Sequence, residues 1–303
     1  MNLKSLSGSI LVPIDFTETS IFALEHAATI STLENSAITL LHVIEGANFE
    51  PVTHASEVKV DHDQALAIEG AAARLEKIIA NKTSNITYKY IIVGGKPYRT
   101  IADTADEINA DFIVMGSNGS SGIQAFAGSN ASKVIQYANC PVIVVRELPV
   151  HKGYKNIVLP LDLTAETKQK VALAADLAEC FDSTVHIVSL HENDEFLANK
   201  LNANLNQVEN YMKDRGIATT ATDMSDSSGN FAMRTLDWAK AKDADLIVIM
   251  TQQERSVREY IIGTYAQQMV NRSPIAVLTV TPNTRLETSV EPFNSFGDVA
   301  GFN

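Results

Sequence analysis

Asp15 and a glycine-rich run are the residues of this 303-residue chain with the clearest capacity for chemistry. The run reads Gly116-Ser117-Asn118-Gly119-Ser120-Ser121-Gly122 and continues through Ile123-Gln124-Ala125-Phe126-Ala127 to Gly128-Ser129. Glycines let the main chain come close to a ligand, and a helix that starts at Ser129 offers unpaired N–H groups and a favourable dipole. That combination is the chemistry of a phosphate cradle.

The surrounding elements follow from hydrophobic periodicity. Ser9 to Ile14 is an apolar run rich in β-formers, and Ser20 to Leu33 has apolar residues at helical spacing. Ala37 to Val43 reads as a second strand, Glu45 to Val60 as a polar loop, and Asp63 to Ile79 as an amphipathic helix. A third strand spans Ile86 to Val93 and is ended by Gly94-Gly95. Pro97 suits the first turn of a helix over Tyr98 to Ile108. Phe112 to Met115, the glycine-rich loop, a helix from Ser129 to Ala138 and a strand from Val142 to Val145 follow.

The chain then repeats itself. Ile10-Leu11-Val12-Pro13-Ile14-Asp15-Phe16-Thr17 returns as Ile157-Val158-Leu159-Pro160-Leu161-Asp162-Leu163-Thr164, an offset of 162 − 15 = 147 residues. Gly128-Ser129 returns as Gly263-Thr264, an offset of 263 − 128 = 135 residues. Two matches in the same order indicate a duplicated domain. The second copy predicts strands near Asn156 to Leu161, Thr184 to Ser189, Ile217 to Ala221, Leu246 to Met250 and Ile275 to Val280. Its helices are expected near Ala165 to Glu179, Asp194 to Arg215, Phe231 to Ala241 and Thr264 to Asn271.

Strands alternating with helices, most strands uniformly apolar, require a parallel sheet covered on both faces. The predicted fold class is α/β, with two tandem, doubly wound, five-stranded parallel domains. The expected divisions are residues 1–150, residues 151–282 and a tail at 283–303 with little apolar periodicity. Ligands of such sheets sit beyond the C-terminal strand ends, where the strand order reverses. Asp15, Val43 and the loop from Gly116 all fall there.

The chain resembles a tandem universal stress protein over about residues 8–146 and 155–281. Nucleotide-binding members of that family carry a glycine, two residues, a second glycine, nine residues, then Gly-Ser or Gly-Thr, with an aspartate ending the first strand. The resemblance implies a Rossmann-like domain of the adenine nucleotide alpha hydrolase kind that binds ATP or a related adenine nucleotide, with Mg as a further expectation. It implies that Asp15 contacts the ribose and base side, that Val43 lines the adenine pocket, and that Gly116, Gly119, Gly128 and Ser129 hold the phosphates. It also implies that the last strand of each copy joins the two repeats as an intrachain pseudo-dimer, with further homodimerisation allowed.

Two departures from the family pattern bear on affinity. Only eight residues separate Gly119 from Gly128, and the stretch from Gly116 to Gly128 holds no Lys or Arg. A triphosphate would lean on main-chain N–H groups, a divalent cation and Lys133. In the second copy, aligning Gly263 with Gly128 puts Thr251 at the place of Gly116 and Glu254 at that of Gly119, so the second cradle is degenerate. Arg255 and Arg258 are nearby, and Asp162 remains.

Composition narrows the classes further. The net charge of −12 divides evenly, −6 over residues 1–150 (10 basic, 16 acidic) and −6 over the rest (14 basic, 20 acidic). With no cluster of Lys and Arg to replace counterions, nucleic acid is not expected as a partner. No apolar run reaches the roughly 20 residues of a membrane span, and no signal-peptide pattern opens the chain, so a cytoplasmic location is expected. Cys140 and Cys180 lie in different copies and read as buried thiols. His54, Asp61, His62 and Asp63 match no metal geometry, and no metal site is expected. His42 and His191 follow the second strand of each copy and read as structural. No catalytic constellation emerges, so weak ATP hydrolysis is the most that enzyme chemistry is expected to amount to. The alternative function is a nucleotide-free module of the stress response that binds an unidentified protein partner.

Overall fold

The computed structural model describes residues 8–34, 36–53, 60–82, 85–117, 130–146, 153–161, 167–190, 194–224, 230–251 and 263–281. The first copy runs β1 (Ser9–Pro13), α1 (Glu18–Glu34), β2 (Ala37–Glu45), α2 (His62–Ala80), β3 (Tyr88–Gly95), α3 (Pro97–Glu107), β4 (Ala110–Gly116), α4 (Asn130–Tyr137) and β5 (Val142–Val145). The second runs β6 (Asn156–Leu161), α5 (Thr167–Phe181), β7 (Thr184–Leu190), α6 (Glu195–Asp214), β8 (Ala218–Met224), α7 (Phe231–Ala241), β9 (Leu246–Met250), α8 (Thr264–Arg272) and β10 (Ala276–Val280). The α/β class and the alternation expected from periodicity are both present.

All ten strands form one sheet in the order β3-β2-β1-β4-β5-β10-β9-β6-β7-β8. Within each copy every pairing is parallel. Between copies β10 runs antiparallel to β5, with Val277 opposite Val144 and Leu278 opposite Ile143. The Thr279 hydroxyl adds a bond to the Val142 carbonyl across this seam at 3.0 Å. Antiparallel joining of two parallel halves has a geometric consequence: the C-terminal strand ends of one copy point opposite to those of the other.

Each face of the sheet carries its own apolar core. Val12, Ile38, Leu40, Phe112 and Val114 pack with Leu24 of α1 and Leu75 of α2, and their counterparts in the second copy continue that layer with Leu177 and Val208. Leu11, Leu41, Ile113 and Met115 face the other way, toward Ile101 of α3 and Val134 of α4, continued by Leu236 and Met269. Successive strand residues point to opposite faces, so a strand buried on both sides must be apolar throughout, as Ile10-Leu11-Val12 and Leu246 to Met250 are.

The copies also touch outside the sheet. Tyr154 is fully buried between the last turn of α5, where its ring meets Phe181 edge-on at 5.1 Å, and α1, where its hydroxyl lies 3.4 Å from His26 Nδ1. Burial pushes the Tyr154 phenol well above its ordinary value, with Asp245 adding to the shift.

Several boundaries differ from expectation. β2 continues to Glu45 and β3 to Gly95, since Ile44 pairs with Gly94 and Glu45 with Gly95. Gly94 does not end its strand: a Cβ there would lie 2.8 Å from the Ala47 carbonyl group, so only glycine lets the segment after β2 lie so close to β3. β8 runs to Met224, past the expected Ala221, with a polar sequence that suits the sheet's outer edge. Among the described residues, no helix is long and apolar enough to cross a membrane.

Leu278 is completely buried between β5 and β9. Leu278→Ala is expected to cost about 2–5 kcal/mol of unfolding free energy. Thr220→Ala on the edge strand is expected to cost well under half of that, both read from urea unfolding midpoints.

Candidate functional site

In the first copy the strand order reverses at β1, which has β2 on one side and β4 on the other. A cavity of about 440 Å³ opens there, lined by residues from the ends of β1, β2 and β4 and the starts of α1, α3 and α4. Asp15, Val43 and Gly116 all line it. The structure therefore brings together three of the six residues singled out from the sequence. Gly119, Gly128 and Ser129 lie outside the described residues.

Asp15 is fixed by the turn that follows it. The Thr17 amide donates to Asp15 Oδ1 at 3.0 Å and the Thr17 hydroxyl donates to the same oxygen at 2.5 Å. Thr17 also starts α1, with the Ser20 amide donating to its Oγ1 at 3.4 Å and the Ile21 amide to its carbonyl at 3.3 Å. Burial works to raise the Asp15 carboxyl, but the hydrogen bonds from the Thr17 hydroxyl and amide and the Ser20 hydroxyl outweigh it. The group is held below its ordinary 3.8.

Phe16, between them, has φ +65°, a left-handed conformation that a bulky residue adopts only when its surroundings impose it. Two contacts do so: the Arg74 guanidinium of α2 sits 3.7 Å from the Phe16 ring centre, and the His42 ring lies 4.6 Å away. His42 Nδ1 donates to the Ile14 carbonyl at 2.7 Å, which ties β1 to β2 beyond their last paired residues. The structural role expected of His42 is the one observed.

Val43 owes its position to strand alternation. The Ile38 amide bonds toward β3, to the Thr87 carbonyl, so Leu40, His42 and Ile44 bond the same way while Leu41 and Val43 face β1. The β1–β2 ladder closes with the Ile14 amide on the Leu41 carbonyl at 2.8 Å. Val43 thus presents its main-chain groups to the cavity just past the end of β1.

Gly116 is required by packing as well as by any ligand. A Cβ on it would lie 2.5 Å from the Thr19 carbonyl oxygen and 2.9 Å from the Ser20 nitrogen. Only a bare main chain lets β4 end against the first turn of α1. Spacing alone pointed to a phosphate contact and missed this helix contact.

Sequence reasoning missed Glu45, Pro97, Ile101 and Asn130, which also line the wall. Pro97 carried a signal as a helix-starting proline, and Glu45 was hidden because the strand was expected to end at Val43. Lys133, considered as a phosphate ligand, has its ammonium 5.0 Å from the Tyr98 ring centre.

The second copy needs a correction. Leu11 pairs with Ile113 and Val158 with Ile247, so the β4 and β9 positions are offset by 247 − 113 = 134 residues. By that register Met250 stands at the place of Gly116, and Thr251 matches Ser117. Their amides confirm it: Ser117 bonds the Val145 carbonyl and Thr251 the Val280 carbonyl, each at 2.9 Å. The loop-based alignment that equated Thr251 with Gly116 was one residue out because the loop lengths differ between copies. Likewise Ser189, not His191, holds the register place of His42, and His191, Asp162, Glu254, Arg255 and Arg258 lie outside the described residues.

The equivalent crevice in the second copy is occupied by its own side chains. Phe231 takes the place of Pro97 at the first position of its helix, and Tyr265 takes the place of Asn130. Their rings stack at 4.9 Å, and the Tyr265 hydroxyl reaches Thr235, the counterpart of Ile101, at 3.4 Å. Met250, completely buried, turns instead to the core layer on the opposite face of the sheet.

Other candidate groups find structural roles. Asp61 caps α2 by accepting from the Gln64 amide at 2.9 Å, and the described residues contain no group of three or more metal-ligating side chains. Neither cysteine is in a disulfide. Burial, with Asp106 and Asp111 nearby, pushes the Cys140 thiol up to about 12, which leaves it protonated and unreactive.

These features define a class: a doubly wound α/β protein with a ligand crevice at its first strand-order reversal and a filled crevice at its second. A model of the Universal stress protein family matches the chain twice, over residues 7–146 and 153–281, and the chain belongs to that family. It is 30% identical over 157 residues to Universal stress protein MJ0577 of Methanocaldococcus jannaschii, covering 45% of this chain and 93% of that protein. A universal stress protein from Archaeoglobus fulgidus DSM 4304 shares the fold along 92% of this chain and 98% of that one, with a TM-score of 0.73 and 21% identity. A further structure, of a universal stress protein from Archaeoglobus fulgidus in complex with dAMP, is 18% identical with a TM-score of 0.35, covering 42% of this chain and 97% of that chain.

The Asp15 turn makes a pH prediction. A carboxyl held below its unfolded value contributes stability that is present above that value and is lost as pH falls through the folded one. The stability difference between the native chain and Asp15→Asn is expected to be constant above the ordinary 3.8 and to shrink below it, measured as urea midpoints across an acid series.

Proposed function

We propose that this universal stress protein is a regulatory protein that holds ATP or a related adenine nucleotide in its first domain, residues 1–150. The single observation that carries the reading is the cavity at the strand-order reversal, with Asp15, Val43 and Gly116 on its wall. Its volume of about 440 Å³ falls in the range of small-molecule sites, about 300–1,000 Å³. Val43 offers main-chain groups of the kind that read the edge of a base, Pro97, Ile101 and Met115 offer an apolar surface to its face, and Asp15 offers an ionised acceptor for ribose hydroxyls. The glycine-rich segment through Gly119, Gly128 and Ser129 supplies the phosphate contacts, with Mg supporting any triphosphate.

The second domain, residues 151–282, does not bind nucleotide at the equivalent place. The Phe231–Tyr265 stack favours this directly, because those rings stand where a base would lie. It acts as a structural partner to the first domain through the β5–β10 seam, an intrachain pseudo-dimer in the cytoplasm. The ligand changes the shape or partner affinity of the first domain.

Equilibrium binding of a fluorescent ATP analogue tests the reading. The native chain is expected to bind with modest affinity, and Gly116→Val and Gly119→Glu are each expected to weaken binding by at least tenfold. Gly116→Val should also lower the unfolding free energy by about 1–3 kcal/mol through overpacking against Thr19. Equal signals from all three proteins would exclude the site, and a co-purified adenine nucleotide in native mass spectra would support it.

A further inference from the structure

The cavity wall is one-sided in charge. Leu41, Val43 and Glu45 are alternate residues of β2 and so project from the same face of the strand, into the same cavity. Glu45 thus stands two positions beyond Val43, on the wall expected to hold the base and sugar. Asp15 ends the neighbouring strand, and its Oδ1 is already occupied by two donors from Thr17. The other lining residues are apolar (Pro13, Ile14, Leu41 and Met115 among them) or neutral and polar (Thr19, Ser20, Ser117 and Asn130). Among the described residues lining the cavity there are two carboxylates and no Lys, Arg or His.

The sequence of the adjoining loop does not redress the balance, since residues 116–128 contain no Lys or Arg. The first lysine of α4, Lys133, is drawn to the Tyr98 ring. What remains for an anion is the main chain and the start of α4, equivalent to about half a positive charge. A terminal phosphate carries roughly 1.5 to 2 negative charges, and each further phosphate of the chain adds about one more. Added phosphates therefore bring repulsion from Asp15 and Glu45 with no matching cation from the protein.

We propose that this pocket selects its adenine ligand by charge, preferring a nucleoside or nucleoside monophosphate to a metal-free triphosphate, and that Glu45 is the residue that sets the preference. The inference rests on the nucleotide reading above and narrows it to a ligand class. A divalent cation that neutralises the triphosphate restores ATP to competition, because it removes the repulsion without changing the base and sugar contacts. Higher ionic strength narrows the same gap, since partly exposed charges are screened.

Isothermal titration of the full chain with adenosine, AMP, ATP in EDTA and ATP with excess Mg tests this, alongside Glu45→Gln and Glu45→Lys. The native protein is expected to bind adenosine and AMP at least fivefold more tightly than ATP in EDTA, with Mg closing most of the gap. Glu45→Gln should tighten metal-free ATP by roughly 3–10-fold and leave adenosine within twofold. Glu45→Lys should go further in the same direction. Metal-free ATP binding the native chain as tightly as adenosine would overturn the inference, as would Glu45→Gln shifting all ligands by one common factor. Both results leave the nucleotide reading standing. Failure of every adenine ligand to bind would remove that reading and this one together.

Discussion

The structure turns on one topological constraint, the reversal of strand order at β1. A parallel strand flanked by two others must send its connecting helices to opposite faces of the sheet, so α1 and α2 cover one face while α3 and α4 cover the other. At the reversal the helices diverge, and the strand ends are left without a covering element. The cavity beside Asp15 is that uncovered place. Everything that equips it follows from keeping the crevice open while α1 still packs tightly, and Gly116 meets both needs at once. Lacking a side chain, it lets the first turn of α1 lie against the end of β4, and it leaves its own main chain on the cavity wall.

The two copies show how little of a domain must change to remove such a site. The same order of elements, the same register and equivalent cores recur in the second copy. Three wall positions differ in size: Gly116 against Met250, Pro97 against Phe231, and Asn130 against Tyr265. Phe231 and Tyr265 stack on each other on the face covered by α7 and α8, while Met250 joins the core of the opposite face. The face of α7 and α8 thus carries ring packing where the first copy has a cavity. Because β10 runs antiparallel to β5, the open and filled crevices lie at opposite ends of the common sheet, so one small ligand cannot bridge them.

Most of the fold was legible in the sequence for a plain physical reason. Strands buried on both faces are apolar throughout, and Val142 to Val145, Asn156 to Leu161 and Leu246 to Met250 were delimited correctly on that signal alone. The signal fades at the sheet's rim. β8, with the sequence Ala-Thr-Thr-Ala-Thr-Asp-Met, is half solvated and gave no continuous apolar run past Ala221. Gly94 misled in the opposite sense, because a glycine demanded by close approach of the Ala47 main chain looks, in sequence, like a strand end. Among site residues, Asp15, Val43 and Gly116 were found because strand ends are predictable from strands. Asn130 and Ile101 were not, since nothing local marks a helix residue as facing a cavity, and Glu45 was not, since its strand runs two residues past the expected end.

The sequence by itself determined the duplication, the alternation of strands and helices, and the end of the sheet at which a ligand would sit. These properties are periodic or local, and short-range sterics and burial are enough to specify them. Tertiary structure alone decided that Phe16 is clamped between Arg74 and His42, that Met250 rather than Thr251 replaces Gly116, and that Phe231 and Tyr265 meet in the second crevice. Each of those facts joins residues between roughly 25 and 135 positions apart. Register between strands and the facing of helices depend on how whole layers pack, and no stretch of sequence read alone contains that information.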